Sequence, residues 1–253
     1  MQRKSLYQDI RKIREDMTQP EIIYEDEAIL VCHKPAGVAT QTKRLGQKDM
    51  ESILKNYIVG KKRVEGSTQP PYIGIVHRLD QPVEGVMVYA KTPQAAAKLT
   101  AQIKNRFVGK HYYALVQLPE GKHSMEEIGL TEKGVLENEI VFDAKKNISS
   151  ITSQKTKNTK HALLNYEVVA QKGQKVLLDI TLHTGRHHQI RVQLAYAGIP
   201  IVGDVYGNCP AEQLGLCSYR ITFTHPITGR KMDYKIMPEN EKIRMLLETV
   251  KSA

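Results

Sequence analysis

Ile73-Gly74-Ile75-Val76-His77-Arg78-Leu79-Asp80, followed shortly by Gly85-Val86-Met87-Val88, is the stretch from which the rest of the chain is best read. The first four residues read as a buried strand that delivers His77 to Asp80 at its end. Residues 86–91 read as the next strand. A single carboxylate is thus framed by a cation before it and by a glycine and an apolar run after it. An aspartate beside an arginine favours its charged form and can be aimed, as nucleophile or base, from the end of a rigid element. The competing reading of Asp80 is a helix cap or a structural salt bridge to Arg78.

Outward from this stretch, strands and helices mix without strict βαβ alternation. Residues 21–25 and 28–32 read as a hairpin, and the chain then enters the turn Lys34-Pro35-Ala36-Gly37. Asp49 is placed to cap a helix carrying Ile53, Leu54, Tyr57 and Ile58. Residues 61–71 read as a basic loop. Thr92-Pro93 opens a second helix as cap and first residue, with Leu99, Ile103 and Phe107 on its core face.

Residues 110–116 form an aromatic-rich strand, and residues 145–160 a polar, basic surface loop or weak hairpin. Residues 162–170 and 176–182 look like paired strands, and Ile190, Leu194 and Ala197 mark a helix closed by Gly198. Residues 219–224 and 231–236 flank a turn at Pro226-Ile227-Thr228-Gly229, and Pro238 opens a last helix. This pattern favours an α+β fold with a mixed, mostly antiparallel central sheet flanked by helices and loops.

The chain has 253 residues, 41% hydrophobic and 25% charged, an ordinary globular composition. Its length fits one large domain over residues 21–253, preceded by an amphipathic extension over residues 1–20 with Leu6, Ile10 and Ile13 at helical spacing. The net charge of +10 implies a polyanionic partner: RNA, DNA or an anionic membrane surface. Cys32, Cys209 and Cys217 form no CxxC pair, which argues against a disulfide framework or a zinc site and for a reducing cytoplasm. No apolar run approaches a membrane span, and the N-terminus lacks the apolar core of a signal peptide.

Two further clusters stand out. Thr184-Gly185-Arg186-His187-His188-Gln189-Ile190-Arg191 leaves a strand through a glycine turn and enters a helix, where backbone amides and guanidinium forks suit an anion. Adjacent histidines on a helix point about 100° apart, so a metal shared by His187 and His188 is not expected. Arg191 lies among Ile190, Val192 and Leu194; a partly buried arginine needs an anionic partner, and Asp80 is a candidate. In Lys110-His111-Tyr112-Tyr113-Ala114 the two tyrosines face opposite sides of a strand; either one packs in the core and the other stacks on a ligand ring, or both are core residues, with equal weight. Phosphate-loop, dinucleotide, GxSxG and HExxH motifs are all missing from the sequence. Basic charge with an isolated Asp, Tyr and Arg points to nucleic-acid chemistry without metal or cofactor.

Taken in order, these clusters resemble the RluA-type pseudouridine synthases. The resemblance rests on residues 25–37, on His77-Arg78-Leu79-Asp80 with Gly85, on Lys110 with Tyr112, Ala114 and Val116, and on Thr184 to Arg191. It continues through Gly198, Pro200, Gly203-Asp204 and Tyr206-Gly207 to Phe223, His225-Pro226 and Thr228-Gly229. It implies the pseudouridine synthase fold and isomerisation of a uridine in ribosomal or transfer RNA, with no cofactor and no metal, by a cytoplasmic monomer. Asp80 would be the nucleophile or electrostatic partner. Tyr112 would stack on the base and help remove the C5 proton, and Arg191 would pair with Asp80 and keep it charged. Arg78 would fill the space of the flipped uridine. RNA contacts would fall to Arg78, His77, Lys34, Arg186, His188 and Gln189.

The chain departs from that family's pattern at four places. Val83-Glu84 stand where Thr-Ser is usual, His187 replaces a small hydroxyl residue, and Gln193 replaces a histidine. Glu84 is expected to face solvent or RNA-binding groups. The N-terminus leaves no room for an S4-type RNA-binding domain, so target choice would rest on the catalytic domain, helped by residues 61–63 and 145–160. The alternatives are a non-catalytic RNA-binding or chaperone protein on the same scaffold, and a phosphate-ester hydrolase using Asp80 and His77. A hydrolase would call for a metal or more carboxylates nearby.

Overall fold

The computed structural model of the chain describes residues 20–42, 46–64, 70–207 and 213–251. The extension expected over residues 1–20 lies outside them save for its last residue, as does Cys209. Local signals place the helices. α1 (Met50–Val64) starts where Asp49 Oδ1 accepts the Ser52 amide at 2.8 Å and Ser52 Oγ accepts the Asp49 amide at 3.1 Å, a reciprocal capping box. α2 (Pro93–Lys104) starts where Thr92 Oγ1 accepts the Ala95 amide at 3.1 Å, with proline at the first helical position. α3 (Gln189–Tyr196) ends at Gly198, whose φ of +82° suits glycine alone without strain.

Three local expectations need correction. The loop expected from residue 61 begins later, because α1 runs on to Val64. Phe107 is 72% exposed, because α2 stops at Lys104 and Arg106 turns to a φ of +61°. The last helix, α4 (Glu241–Lys251), starts after Asn240, whose Oδ1 accepts the amides of Lys242 and Ile243, and not at Pro238. Residues 145–160, read as a surface loop or weak hairpin, take the hairpin form, with β7 (Ile148–Thr152) folded back on β6 (Lys133–Asp143) as described next.

Eleven strands build one sheet. They are β1 (Glu21–Glu25), β2 (Ile29–Lys34), β3 (Gly74–Ile75), β4 (Glu84–Ala90), β5 (Gly109–Gln117), β6 (Lys133–Asp143), β7 (Ile148–Thr152), β8 (Thr159–Lys172), β9 (Lys175–Leu182), β10 (Leu216–Thr224) and β11 (Lys231–Lys235). The order is β1-β2-β4-β10-β5-β9-β8-β6-β7, with β11 on β10 and β3 on β4. All pairings are antiparallel except β4 with β10. The expected α+β fold with a mixed, mostly antiparallel sheet is therefore present. β6 is an addition to the sequence reading; its alternating burial marks a hairpin strand with one face toward solvent.

Both faces of the central strands are covered. Leu30, Cys32, Met87 and Tyr89 face the layer that holds Leu54 of α1 and Leu194 of α3. Ile29, Val31, Val86 and Val88 face Ala95 and Leu99 of α2. Leu115, Leu177 and Tyr219 pack on Ile243 and Leu246 of α4. Each fully buried aliphatic side chain is worth roughly 1.5–3 kcal/mol of transfer free energy. At the seam between β4 and β10, Gly85 lies opposite Ser218 with a φ of +152°. A Cβ there would sit 2.6 Å from the Ser218 carbonyl oxygen, so the residue must be glycine for the strands to meet.

Candidate active site

Asp80 lies in the loop between β3 and β4, which is fastened from several sides. Thr40 Oγ1 donates to the Leu79 carbonyl at 2.9 Å and accepts the Leu79 amide at 3.2 Å. The Gly37 amide donates to the Gln81 carbonyl at 2.8 Å, and Gln81 Nε2 returns a bond to the Gly37 carbonyl at 2.9 Å. Lys34 Nζ donates to the carbonyls of Pro35 (3.0 Å), Val38 (2.6 Å) and Gln81 (3.2 Å). A turn closed by the Val83 amide on the Asp80 carbonyl, at 3.0 Å, completes the loop.

Lys34 was expected to touch RNA, and the structure replaces that role. Its side chain has no exposed surface and all three ammonium protons are spent on carbonyls. Burial lowers its pKa to about 8, against the opposing pull of Asp80 and Glu84. His77 is half-buried and lines the pocket; its Nε2 accepts the Val88 amide at 3.1 Å, and burial drives its pKa to about 3, so the ring is neutral. It anchors the loop to β4.

Arg191, from the first turn of α3, reaches Asp80 with Nη1 3.3 Å from Oδ2. Its main partner is different. Nε and Nη2 form a fork on the buried carboxylate of Asp204, both at 2.8 Å, and the guanidinium lies 5.4 Å from the Tyr206 ring centre. Burial alone would lower the arginine's pKa; Asp204 first, and Asp80 after it, more than offset this, and the net shift is upward. Asp204 was in the quoted sequence without a role. Its signal was the Gly203-Asp204 turn, but a carboxylate thirteen positions from its partner arginine carries no readable periodicity.

Tyr112, on β5, is buried on the α1/α3 face and lines the same pocket, while Tyr113 stacks on Tyr219 behind the sheet, as alternation required. Burial raises the Tyr112 pKa well above the usual phenol value, Asp80 adds to the rise, and a hydrogen bond with Ser218 moderates it. Its ring is therefore a neutral phenol. His188, with a left-handed backbone (φ +51°), puts Nε2 3.5 Å from Asp80 Oδ2 and Nδ1 3.0 Å from the Tyr206 hydroxyl. Burial pulls its pKa down to about 4 in spite of Asp80. Both Arg191 and His188 face Oδ2; no described residue bonds Oδ1.

The remaining expectations divide. Arg78 is exposed on the pocket wall, and Arg186 lines the pocket while its Nε donates to the His161 carbonyl at 2.8 Å. Gln189 is not available to RNA. It is 3% exposed, Oε1 accepts from Thr184 Oγ1 and from the Arg186 amide, and Nε2 donates to the Leu163 carbonyl. Glu84 also departs from expectation. It is buried, not facing solvent or RNA, and accepts the amides of Glu239 (3.0 Å) and Asn240 (3.2 Å) ahead of α4. Gln193 donates to the Leu136 carbonyl and to Asn138 Oδ1, tying α3 to β6.

Lys110 is the residue the sequence reading left without a role. Its ammonium lines the pocket, burial lowers its pKa, and no described residue pairs with it. Asp80, Tyr112, Arg191, His188 and Lys110 together line an open pocket of about 110 Å³, continuous with a cleft of about 1520 Å³ edged by Lys104, Arg106 and Lys160. Among the described residues, the one set of His and carboxylate groups close enough to share an ion is Glu21, His33 and Glu239, and it does not line this pocket. No helix among them is long and apolar enough to cross a membrane.

A mixed sheet thus holds one carboxylate against an arginine and a buried tyrosine, beside a wide basic cleft. A family model described as RNA pseudouridylate synthase matches residues 28–196, and the chain belongs to that family. The ribosomal large subunit pseudouridine synthase D of Nitrosomonas europaea is 30% identical over 247 residues, covering 92% of this chain and 65% of that protein. The protein of the same name from Zymomonas mobilis is 30% identical, covering 88% and 71%. The chain thus spans about two thirds of the length of these relatives. The RluA-type resemblance stands with them. The fold is shared with human RNA pseudouridylate synthase domain containing 4 (TM-score 0.68, 20% identity, 91% of this chain and 93% of that one). It is also shared with human domain containing 1 (TM-score 0.65, 17% identity, 91% and 95%).

Proposed function

We propose that this chain isomerises a uridine of ribosomal RNA, with transfer RNA as the second candidate, to pseudouridine. The observation that carries the reading is the convergence of Asp80, Tyr112 and Arg191, from three distant parts of the chain, on one pocket. The reaction breaks the N1–C1′ bond, turns the uracil while it stays in the site, and joins C5 to C1′. The proton leaves C5 and N1 gains one, so the change is redox-neutral and consumes no water.

Asp80 acts through Oδ1, the oxygen left unbonded when Arg191 and His188 face Oδ2. Arg191, locked on Asp204, is a fixed cation that orients the carboxylate. Tyr112, a neutral phenol, covers the uracil face and lies next to where the C5 proton must leave. Arg78, exposed beside Asp80, fills the place of the flipped nucleotide. The names of the relatives favour large-subunit ribosomal RNA. The buried free thiols Cys32 and Cys217 suit a reducing cytoplasm, where the chain acts as a monomer with the catalytic domain spanning residues 21–253.

The test is pseudouridine mapping of unmodified large-subunit ribosomal RNA and transfer RNA transcripts after incubation with the protein. The intact chain is expected to convert one or a few uridines. Asp80→Asn is expected to abolish conversion, a loss on the order of 10³-fold or more. No conversion of either RNA by the intact chain defeats the proposal, and conversion by the Asn variant defeats the role of Asp80.

A further inference from the structure

A column of aromatic rings runs from the catalytic carboxylate to the wall of the cleft. Its inner end is His188, beside Asp80. The His187 ring stacks on His188 with centres 3.7 Å apart and an interplanar angle of 27°. The Phe142 ring, on β6, has its centre 4.1 Å from that of His187 and is tilted to it by 42°. The column is held in place from behind. The buried Ser149 donates Oγ–H to the His187 carbonyl at 2.8 Å and lies 3.0 Å from its Nδ1, while the Ser149 amide donates to the Tyr206 hydroxyl at 2.9 Å. Burial lowers the His187 pKa, so the ring is a neutral π-surface.

The outer end of the column is open. Phe142 is 44% exposed and lines the cleft together with Asn147, Asn158 and Lys160. The side of Phe142 away from His187 is exposed to an open basic groove. Its setting is that of a single-stranded nucleic-acid site, where cations track the backbone and aromatic rings take up unpaired bases. Lys160, Arg186 and Arg78 supply the cations on the same cleft.

We propose that Phe142, backed by His187, is a stacking platform for an unpaired nucleobase flanking the target uridine. The proposal rests on the reading of Asp80 as the centre of a uridine-modifying site. It assigns the β6–β7 hairpin the choice of RNA context, and it gives His187, which stands where the resembling family has a small hydroxyl residue, a function as the middle ring. The preferred substrate has an unstacked base next to the uridine, as in a loop or bulge.

The probe is hexauridylate in which one uridine at a time is replaced by 2-aminopurine riboside, bound to the Asp80→Asn protein so that no turnover intervenes. Stacking on an aromatic ring quenches 2-aminopurine fluorescence. Quenching is expected at one position of the six. Phe142→Ala should restore the fluorescence at that position alone and weaken binding about tenfold. Phe142→Trp should keep both quenching and affinity, which separates loss of stacking from loss of folding. His187→Thr should reduce quenching in the same direction. Quenching that survives Phe142→Ala, fluorescence that changes equally at all positions, or a Trp variant as weak as the Ala variant each overturn the platform. An intact chain that binds and quenches but makes no pseudouridine in the transcripts overturns the enzymatic reading and leaves the platform standing.

Discussion

The Asp80 loop and the β6–β7 hairpin border the same cleft and are built in opposite ways. The loop is held by committed groups: Lys34 donates to three carbonyls, Thr40 bonds both sides of the Leu79 peptide, and His77 accepts the Val88 amide. The hairpin presents alternating exposed and half-buried residues, and most of its side chains meet solvent. A reacting carboxylate must be placed to within a fraction of an ångström, and a rigid surround does this. A surface that meets varied RNA contexts gains from exposure, and its substitutions cost little folding free energy. Asp204 and Lys34 therefore belong with the chemistry although neither need touch substrate.

The largest effect after Asp80 itself is expected at Asp204. Asp204→Asn removes the charge from the fork and leaves a buried guanidinium short of its partner. Stability should fall by about 3 kcal/mol or more, and activity should fall further as Arg191 is drawn toward Asp80. Unchanged thermal stability with unchanged turnover would mean that Arg191 does not depend on its buried neighbour.

Lys34→Met comes next. Up to three carbonyls lose their donor, for about 2–3 kcal/mol of stability, while the midpoint and salt dependence of RNA binding stay as they were. A variant that keeps its melting temperature but loses RNA affinity would erase the contrast between loop and hairpin.

A smaller effect follows from His77 and pH. Its folded-state pKa, about 3, lies below the ordinary 6.5. Between those values the unfolded chain binds the extra proton, so the ring's contribution is full above pH 6.5 and is lost as pH falls toward 3. At pH 5 the loss is at most about 2 kcal/mol. Melting curves from pH 7.5 to 5 should flatten in His77→Gln, and parallel curves would remove His77 from the account of acid sensitivity.

The smallest structural effect is expected in the hairpin turn. Lys145→Ala with Lys146→Ala should leave stability within about 0.5 kcal/mol. The slope of log affinity against log salt should drop by about one for each phosphate that the variant no longer neutralises. A destabilised double variant would show that the hairpin, too, is part of the rigid frame.

What the sequence made legible follows from distance along the chain. Asp49, Thr92-Pro93 and Gly198 act on neighbours within a few residues, and their cap geometry appears where their residue types pointed. The core strands announced themselves by apolar runs buried on both faces. β6 did not, because Glu137 and Glu139 interleave with polar Asn138 on a half-exposed hairpin. Asp80, Tyr112 and Arg191 were legible as types needing partners. Which partner each takes was not: Lys34 finds Gln81, Glu84 finds residues 239 and 240, and Arg191 gives its best two bonds to Asp204. Those pairings depend on how the sheet closes, and residue type alone does not encode them.

The seam where Gly85 meets Ser218 joins segments more than half the chain length apart. Pairings of such long sequence separation form late and slowly, since the intervening chain must first be brought to order. Tyr112 sits on β5, which pairs with the same β10, so closure of the seam and placement of the tyrosine's strand go together. A nascent chain emerging from the ribosome could thus expose the Asp80 loop long before it could use it. Leu216 of β10 lines the pocket that holds Asp80, so that pocket is complete only once β10 has been synthesised and docked.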